Sequence, residues 1–190
     1  MESKERSDAA RNREAILTAA EDLFSSSRGD VSMDEIALAA GVGKGTLFRR
    51  FGDRTSLLRE LYRRRLAPLR EAILSGPPPL GPSAPARRRI PALLVAIAKF
   101  KLDNAALMTS LESAPGNAAP LQSSPWYEDV HSLLRDLLAN EGTRYPSWDA
   151  HILLGAVRAD LVHHVATTEG MNEQDIAERL EALAGKILGA

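Results

Sequence analysis

The sequence predicts an all-α protein of about nine helices, in which a small helix-turn-helix unit precedes a larger helical domain. Apolar residues recur at three- and four-residue spacing along most of the 190 residues. Glycine, proline and capping residues separate these periodic segments, and no segment has the alternation typical of a strand. The 44% hydrophobic and 26% charged composition is ordinary for a soluble globular protein.

Several classes of protein are excluded by composition. The chain has no cysteine, which excludes a disulfide framework and a thiolate metal site. No apolar run approaches the roughly 18 residues that a membrane span needs, so we expect no membrane association. The charged start, MESKERSDAARNRE, lacks the apolar core of a secretory signal. We therefore expect a cytoplasmic protein.

The first predicted helix runs from about Ala9 to Ser26 and is amphipathic. A helix-turn-helix follows over residues 32–51. Ser32 with Glu35 fits a capping box that starts its first helix, and Gly41 permits the sharp turn that ends it.

The second helix of this motif begins near Gly43 and has an inward and an outward face. Leu47 and Phe51, four residues apart, form the inward face. The outward face carries cations and a hydroxyl, which suit the major groove of B-DNA. Its side chains are Lys44, Thr46, Arg49 and Arg50.

Charge is concentrated around the motif although the whole chain carries a net charge of only -1. Residues 41–70 contain nine basic and two acidic residues, which gives +7, whereas residues 71–190 contain ten basic and fourteen acidic residues, which gives -4. The sequence therefore predicts that one end of the protein meets an anion.

The run GVGKGTLFRRFGDRTSLL resembles the TetR family of bacterial regulators, whose usual pattern is close to GVSxGTLYxHFxxKexLL. The resemblance covers roughly Ala10 to Leu66. Two positions depart from the pattern: Phe48 replaces a tyrosine whose hydroxyl touches a phosphate, and Arg50 stands where histidine is common. The resemblance implies a DNA-binding unit of three helices, a homodimer, and a carboxyl-terminal domain that binds a small molecule.

We expect the DNA contacts to be divided between bases and phosphates. Lys44, Thr46 and Arg50 are predicted to read bases or their flanking phosphates, and the Gly45 backbone to allow close approach. Ser32, Arg49 and Arg54 are predicted to hold phosphates. The full predicted DNA-binding set is Ser32, Lys44, Gly45, Thr46, Phe48, Arg49, Arg50 and Arg54.

The domain boundary is predicted at a proline-rich segment. A fourth helix, capped by Asp53, runs to about Leu74, and residues 76–86, GPPPLGPSAPA, form a semi-rigid linker. We therefore expect a DNA-binding domain over residues 1–75 and a ligand-binding and dimerisation domain over residues 87–190. Its helices are predicted over Ile90–Leu111 and from Pro125, Ser147 and Asn172 onward.

The last two helices are the predicted dimer surface. The helix from Ser147 is apolar nearly all round and the last helix has one apolar stripe, so pairing with their copies makes a four-helix bundle. An intramolecular bundle is the alternative. The predicted interface residues are Leu154, Leu161, Val165, Leu180, Leu183 and Ile187.

Large or amphipathic side chains within the apolar helices are candidates for an effector pocket, and each fits a packed core equally well. They predict an apolar or aromatic effector. The candidates are Phe100, Met108, Trp126, Tyr127, His131, Trp148 and His151.

An enzymatic function has little support. Asp160 and His163 lie one helical turn apart and His164 is adjacent, but no third ligand, nucleophile or phosphate loop accompanies them. We expect no catalytic residues, no metal and no cofactor. The sequence therefore predicts a dimeric repressor that binds a palindromic operator in double-stranded DNA and is released by a small molecule. The alternatives are a regulator that responds to a protein partner and, more remotely, a helical enzyme.

Overall fold

The computed structural model describes residues 2–26, 31–112 and 124–189, with side chains for residues 10–26, 31–111 and 124–189. The described residues form ten helices, close to the predicted nine, and contain no strand. The helices are α1 Glu2–Ser26, α2 Met33–Ala39, α3 Lys44–Phe51, α4 Arg54–Ser75, α5 Ala86–Asp103, α6 Ala105–Glu112, α7 Pro125–Asn140, α8 Pro146–Ala156, α9 Ala159–Thr167 and α10 Glu173–Ile187.

The chain divides into two compact units. Unit 1 comprises Met1–Leu66 together with Ala106–Asn117, and unit 2 comprises Ala67–Ala105 together with Ala118–Ala190. The division falls inside α4, whereas the sequence predicted a boundary at the proline-rich segment. Unit 1 also includes α6, which the sequence assigned to the second domain.

Unit 1 has a small core onto which the helix-turn-helix packs. Ile36 of α2 and Leu47 of α3 are fully buried, and Ile16 of α1 and Leu57 of α4 complete the contact between four helices. Leu107 of α6 is buried in the same cluster. Burial of each such side chain contributes about 1.5–3 kcal/mol, so α3 is held firmly by its inward face.

Local sequence signals set the ends of α2 and α4. The predicted capping box is confirmed, since the Ser32 backbone N–H donates to the Glu35 carboxylate at 2.8 Å and the Glu35 N–H donates to the Ser32 hydroxyl at 3.2 Å. The Ser32 hydroxyl, which donates to the Glu35 carboxylate at 2.6 Å, and the Ser32 N–H together keep the pKa of Glu35 below its usual value. Asp53 caps α4 by accepting from the Ser56 N–H at 2.7 Å.

The turn between α2 and α3 depends on Gly41. Its φ of +64° lies in the left-handed region that side chains with a Cβ avoid. The Val42 N–H then donates to the Ala37 carbonyl at 3.0 Å, which closes the end of α2. The angle between the two helices therefore follows from one glycine.

The arginines in the middle of α4 hold α1. Arg64 contacts the carboxylates of Glu14 at 2.6 Å and Glu21 at 3.1 Å. Arg65 donates to the Glu21 carbonyl at 2.6 Å, and its side chain is only 10% exposed. Tertiary packing thus places both arginines against acidic residues of α1.

Unit 2 packs α5 against α7, α9 and α10, and α7 against α8, around one apolar core. Its caps follow the sequence: the Ser124 hydroxyl accepts from the Tyr127 N–H at 3.1 Å, and Asn172 forms a capping box with Asp175.

Two helices that the sequence predicted as continuous are interrupted. The Asn104 amide donates to the Phe100 carbonyl at 2.7 Å and separates α5 from α6, because such a side chain competes with the helical backbone. Between α8 and α9, the Lys101 ammonium donates to the Val157 carbonyl. Apolar spacing continues across both breaks and therefore does not reveal them.

The proline-rich segment is folded onto unit 2. Arg89 donates from Nε to the Leu80 carbonyl at 2.8 Å and from Nη2 to the Ile73 carbonyl at 2.7 Å. Gly81 lies against the Gly76 backbone so closely that a Cβ at Gly81 would overlap the Gly76 carbonyl. Segment 76–86 is thus a packed turn and differs from the extended spacer that its composition suggested.

Within the described part of the chain, no helix combines the length and the apolar character required to cross a membrane.

Candidate nucleic-acid interface

Helix α3 presents polar and charged groups on the side opposite its buried residue. Leu47 is fully buried, whereas Lys44, Gly45, Arg49 and Arg50 are exposed, and Thr46 is half-buried. The helix carries three cations and no acidic residue. A short helix of this kind fits the major groove, and its side chains reach base edges and phosphates.

Lys44 has a partner that sequence reasoning missed. Its ammonium group lies 2.7 Å from the carboxylate of Asp34 on α2. The carboxylate orients the ammonium and also reduces the net charge that the motif presents to DNA. Asp34 and Lys44 are ten residues apart, so the turn of the motif is what brings them together.

Arg49 and Arg50 are the least constrained cations of the motif. Among the described residues, neither guanidinium forms an ion pair or a hydrogen bond. Lys44, Arg63 and Arg64, by contrast, each contact a carboxylate. The end of α3 is therefore one place in the described part of unit 1 that offers positive charge to an external anion.

Ser32 and Arg54 both make contacts within unit 1. The Ser32 hydroxyl donates to Glu35 at 2.6 Å as part of the capping box. Arg54 is half-buried, and its Nε and Nη2 donate to the Val31 carbonyl at 3.3 and 3.1 Å. Arg54 thus anchors the segment that leads into α2, and a phosphate contact by Ser32 or Arg54 stays a prediction.

Phe48 and Gly45 lie on the exposed part of α3. The Phe48 ring is 38% exposed, so an apolar surface stands where the family pattern has a tyrosine hydroxyl. No atom outside the adjoining backbone lies within 4 Å of a Cβ placed on Gly45. The fold does not require glycine at position 45, which is consistent with a requirement imposed by a ligand.

The predicted pocket residues fall in both units. Met108 belongs to unit 1, and the other six belong to unit 2. Phe100 is half-buried in α5, and Trp148 is 66% exposed on α8. Trp126 lines a cleft of about 700 Å³ together with residues of α4, the proline-rich segment, α5 and α7.

Tyr127, His131 and His151 form a stack between α7 and α8. The two imidazole rings lie 4.0 Å apart, and the Tyr127 hydroxyl lies 2.7 Å from Nδ1 of His151. His131 Nε2 lies 3.1 Å from the Ser147 carbonyl. Desolvation, followed by the proximity of His131, lowers the pKa of His151.

The predicted dimer residues divide by exposure. Leu154 and Leu180 are buried in the core of unit 2, and Leu161 is 44% exposed. The remaining residues, Val165, Leu183 and Ile187, are half-buried. Trp148 and Ile152, four residues apart on α8, add an exposed apolar patch that the sequence-based selection did not include.

The residues weighed for catalysis do not form a catalytic group. Asp160 pairs with Arg158 at 2.8 Å, and His164 lies 3.7 Å from Glu169. No group of three or more potential metal ligands occurs among the described residues.

Comparison with known proteins extends these observations. Residues 16–61 match the family model described as "Bacterial regulatory proteins, tetR family". The chain is 26% identical to the HTH-type transcriptional regulator SAR0097 of Staphylococcus aureus, a match that covers 93% of this chain and 94% of that protein.

Two solved structures share the fold over most of their length. A TetR-like transcriptional regulator from Rhodococcus sp. RHA1 is 25% identical, with a TM-score of 0.57, and the match covers 94% of this chain and 96% of that one. NalD of Pseudomonas aeruginosa is 21% identical, with a TM-score of 0.63 and the same coverage. The family match over residues 16–61, the related regulators and the shared all-helical fold together support a transcriptional regulator of the TetR family.

Proposed function

We propose that the protein is a homodimeric repressor that binds a palindromic operator and leaves it when a small molecule binds unit 2. The observation that carries the DNA-binding part is the end of α3, where Arg49 and Arg50 are exposed and have no partner among the described residues. NalD, which has the same fold, is described as the secondary repressor of the MexAB-OprM multidrug efflux pump.

The dimer is proposed to form through α8, α9 and α10. Trp148, Ile152 and Leu161 expose large apolar surfaces on α8 and α9, and a second copy would remove these surfaces from water. A single short recognition helix reads only a few base pairs, whereas a dimer reads two half-sites about 34 Å apart. The exposed apolar patch and the DNA geometry thus support the same assembly.

Release from DNA is proposed to be a shift between two states of the dimer. The ligand favours the state whose recognition helices do not match the half-site separation, and its differential affinity for the two states limits the effect. The cleft of about 700 Å³ in unit 2 is within the volume range of small-molecule sites, which supports a small-molecule effector over a protein partner.

The oligomeric state is tested by sedimentation of the double variant Ile152→Glu, Leu161→Glu. We expect a monomer that retains its helical content, because both side chains are exposed and a buried carboxylate opposes association. Leu74→Glu is the matched control, since Leu74 is an exposed leucine outside α8–α10, and we expect it to stay dimeric. A dimer in all three proteins would place the interface elsewhere.

Operator binding is tested by a gel shift on DNA upstream of the protein's own gene. We expect Arg49→Ala and Arg50→Ala to weaken binding, and Arg63→Ala, which removes an arginine that pairs with Glu60 on α4, to leave binding unchanged. Equal effects of all three variants would contradict the assignment of α3 as the DNA-reading helix.

A further inference from the structure

The cleft of unit 2 contains a buried arginine, Arg89, that pairs with no carboxylate among the described residues. The residues that line the cleft include Arg70, Ile73 and Leu74 of α4, Pro82, Arg89 of α5, and Trp126, Glu128, Asp129, Val130 and Leu133 of α7. Arg89 is only 6% exposed, so most of the residue has been removed from water.

Hydrogen bonding satisfies part of Arg89 but does not neutralise it. Nε and Nη2 donate to the carbonyls of Leu80 and Ile73, which are neutral acceptors. None of the described residues accepts a hydrogen bond from Nη1, and no described carboxylate pairs with the guanidinium. Burial lowers the pKa of Arg89. A buried charge without a counter-charge is costly to maintain.

The neighbouring Arg87 shows that unit 2 does supply carboxylates to other arginines. Arg87 is half-exposed, and it pairs with Glu141 at 2.8 Å. Arg89 has less access to solvent and has no such pair. Both residues lie in the first turn of α5, where the helix dipole disfavours cations and favours anions. The position of Arg89 is thus suited to an anion that this unit does not itself provide.

The rest of the cleft determines what kind of anion fits. Trp126, Val130 and Leu133 form an apolar wall of α7, with Ile73 and Leu74 on α4. Two carboxylates, Glu128 and Asp129, also line the cleft, and Arg70 pairs with Asp129 at 2.8 Å. These acidic residues oppose a multiply charged anion. A ligand with one acidic group on an aromatic or branched apolar body fits this lining. Its acidic group can pair with Arg89, its body can pack on the apolar wall, and its single charge limits repulsion by Glu128 and Asp129.

We infer that this cleft binds an amphipathic organic monoanion, whose acidic group pairs with Arg89 and whose apolar body packs on Trp126 and Leu133. The inference rests on the proposed ligand-responsive function and names the chemical class of its effector. Such a ligand contacts Ile73 and Leu74 near the end of α4, and α4 begins at Arg54, three residues after α3 ends. Helix α4 is the shortest covalent connection between the cleft and the DNA-reading helix.

The binding test uses two fluorescent probes of similar apolar shape. Anilinonaphthalene sulfonate carries one negative charge, and phenylnaphthylamine has the same aromatic body without the sulfonate. We expect the full-length protein to bind the anion at least tenfold more tightly, and Arg89→Gln to remove that preference while changing the affinity for the neutral probe less than twofold. Equal affinity of wild type for both probes, or an unchanged preference in Arg89→Gln, would overturn the inference.

Arg89 also donates hydrogen bonds to two backbone carbonyls, so Arg89→Gln can fail to fold. A second pair of variants then tests whether the anion binds in the cleft. Leu74 lines the cleft and is 70% exposed, so Leu74→Lys and Leu74→Glu are expected to fold alike. We expect the lysine variant to bind the anion more tightly than the glutamate variant, by about tenfold, with equal affinity for the neutral probe. Indistinguishable anion affinities in these two variants would place the anion outside the cleft.

A separate measurement distinguishes this inference from the proposed function. The anionic probe is titrated into the complex of the wild-type protein with its operator. Loss of the gel shift supports both proposals. Tight, Arg89-dependent probe binding without DNA release supports the anion site and contradicts the effector role. Normal operator binding by a protein that shows no anion preference overturns the anion site and leaves the DNA-binding function in place.

Discussion

The ammonium group of Lys44, the first residue of α3, lies 2.7 Å from the carboxylate of Asp34 in the preceding helix. Both side chains are more than half exposed, so the pair contributes only about 0–1 kcal/mol to folding. Its effect is expected on DNA instead, because Asp34 offsets the charge that Lys44 brings to a phosphate or a guanine.

Removal of that carboxylate is therefore expected to strengthen DNA binding. Asp34→Asn keeps the shape of the side chain but leaves Lys44 without a counter-charge, so affinity for operator and for random DNA both rise and depend more steeply on salt. Lys44→Ala is expected to cost about 1–3 kcal/mol on the operator and less on random DNA. Fluorescence anisotropy at several salt concentrations measures the DNA affinity of each variant and its salt dependence. Weaker binding by Asp34→Asn would mean that the pair itself is needed for recognition.

Gly45→Ala separates a requirement of the fold from a requirement of the DNA complex. Nothing in the fold opposes a Cβ at this position, and alanine in a helix is favoured over glycine by up to about 1 kcal/mol. We expect the variant to be as stable as wild type in urea, or more stable, and to bind the operator more weakly because the methyl group prevents close approach.

Gly185→Ala is the matched control for this substitution. Gly185 also lies in a helix, α10, and also has open space around its Cβ position. We expect it to gain similar stability with no change in DNA affinity. If Gly45→Ala binds the operator as tightly as wild type, the α3 backbone does not approach the duplex.

Arg54→Ala is expected to reduce both stability and DNA affinity. Arg54 supplies two hydrogen bonds to the Val31 carbonyl, and loss of a charged donor costs roughly 1–3 kcal/mol of unfolding free energy. On DNA, we expect all sequences to be weakened alike and the salt slope to fall by about one. Arg63→Ala is the control in urea and on DNA, since its ion pair with Glu60 is exposed. A stable Arg54→Ala variant would contradict the anchoring role.

The stability of unit 2 is expected to fall when the solution becomes acidic. The fold lowers the pKa of His151, so between that value and about pH 6.5 the unfolded chain binds more protons than the folded one. The unfolding free energy therefore decreases as pH falls through this window. Above the window, the contribution of His151 to stability is fully present.

Urea unfolding of wild type and His151→Gln at several pH values between about 7 and 5 measures this contribution. We expect the wild type to lose more stability than the variant over this range. His163→Gln, at an exposed histidine of α9, is expected to follow the wild type. Parallel curves for wild type and His151→Gln would exclude His151 as the source of the pH dependence.

Features that depend on residues close together in the chain could be predicted from the sequence. The capping box of Ser32 and Glu35, the turn at Gly41 and the Asp53 cap each involve residues within a few positions, and the structure confirms them. The family pattern was recognisable for the same reason, because its spacing lies within one short segment.

Features that depend on residues far apart in the chain could not be predicted from the sequence. The ion pairs of Arg64 and Arg65 join residues more than 40 positions apart, so no local pattern predicts them. The sequence predicted Phe100 and Met108 on one helix, whereas the structure has a break at Asn104 and assigns the two residues to different units.

Arg89 was missed altogether, although the sequence contained one signal for it. It is the last of three consecutive arginines, Arg87 to Arg89, in the first turn of α5, where a helix ordinarily favours acidic residues. Its burial, however, follows from the way the proline-rich segment folds over it, and no periodicity in the sequence predicts that arrangement.

Because Arg63, Arg64 and Arg65 are held by Glu60, Glu14 and Glu21, they are poorly placed to displace the counterions that coat a duplex. In the described part of unit 1, that task falls mainly to the end of α3. The protein should then bind random chromosomal DNA weakly and dissociate from it quickly. The protein would locate its operator through many short visits, with few copies sequestered along the chromosome.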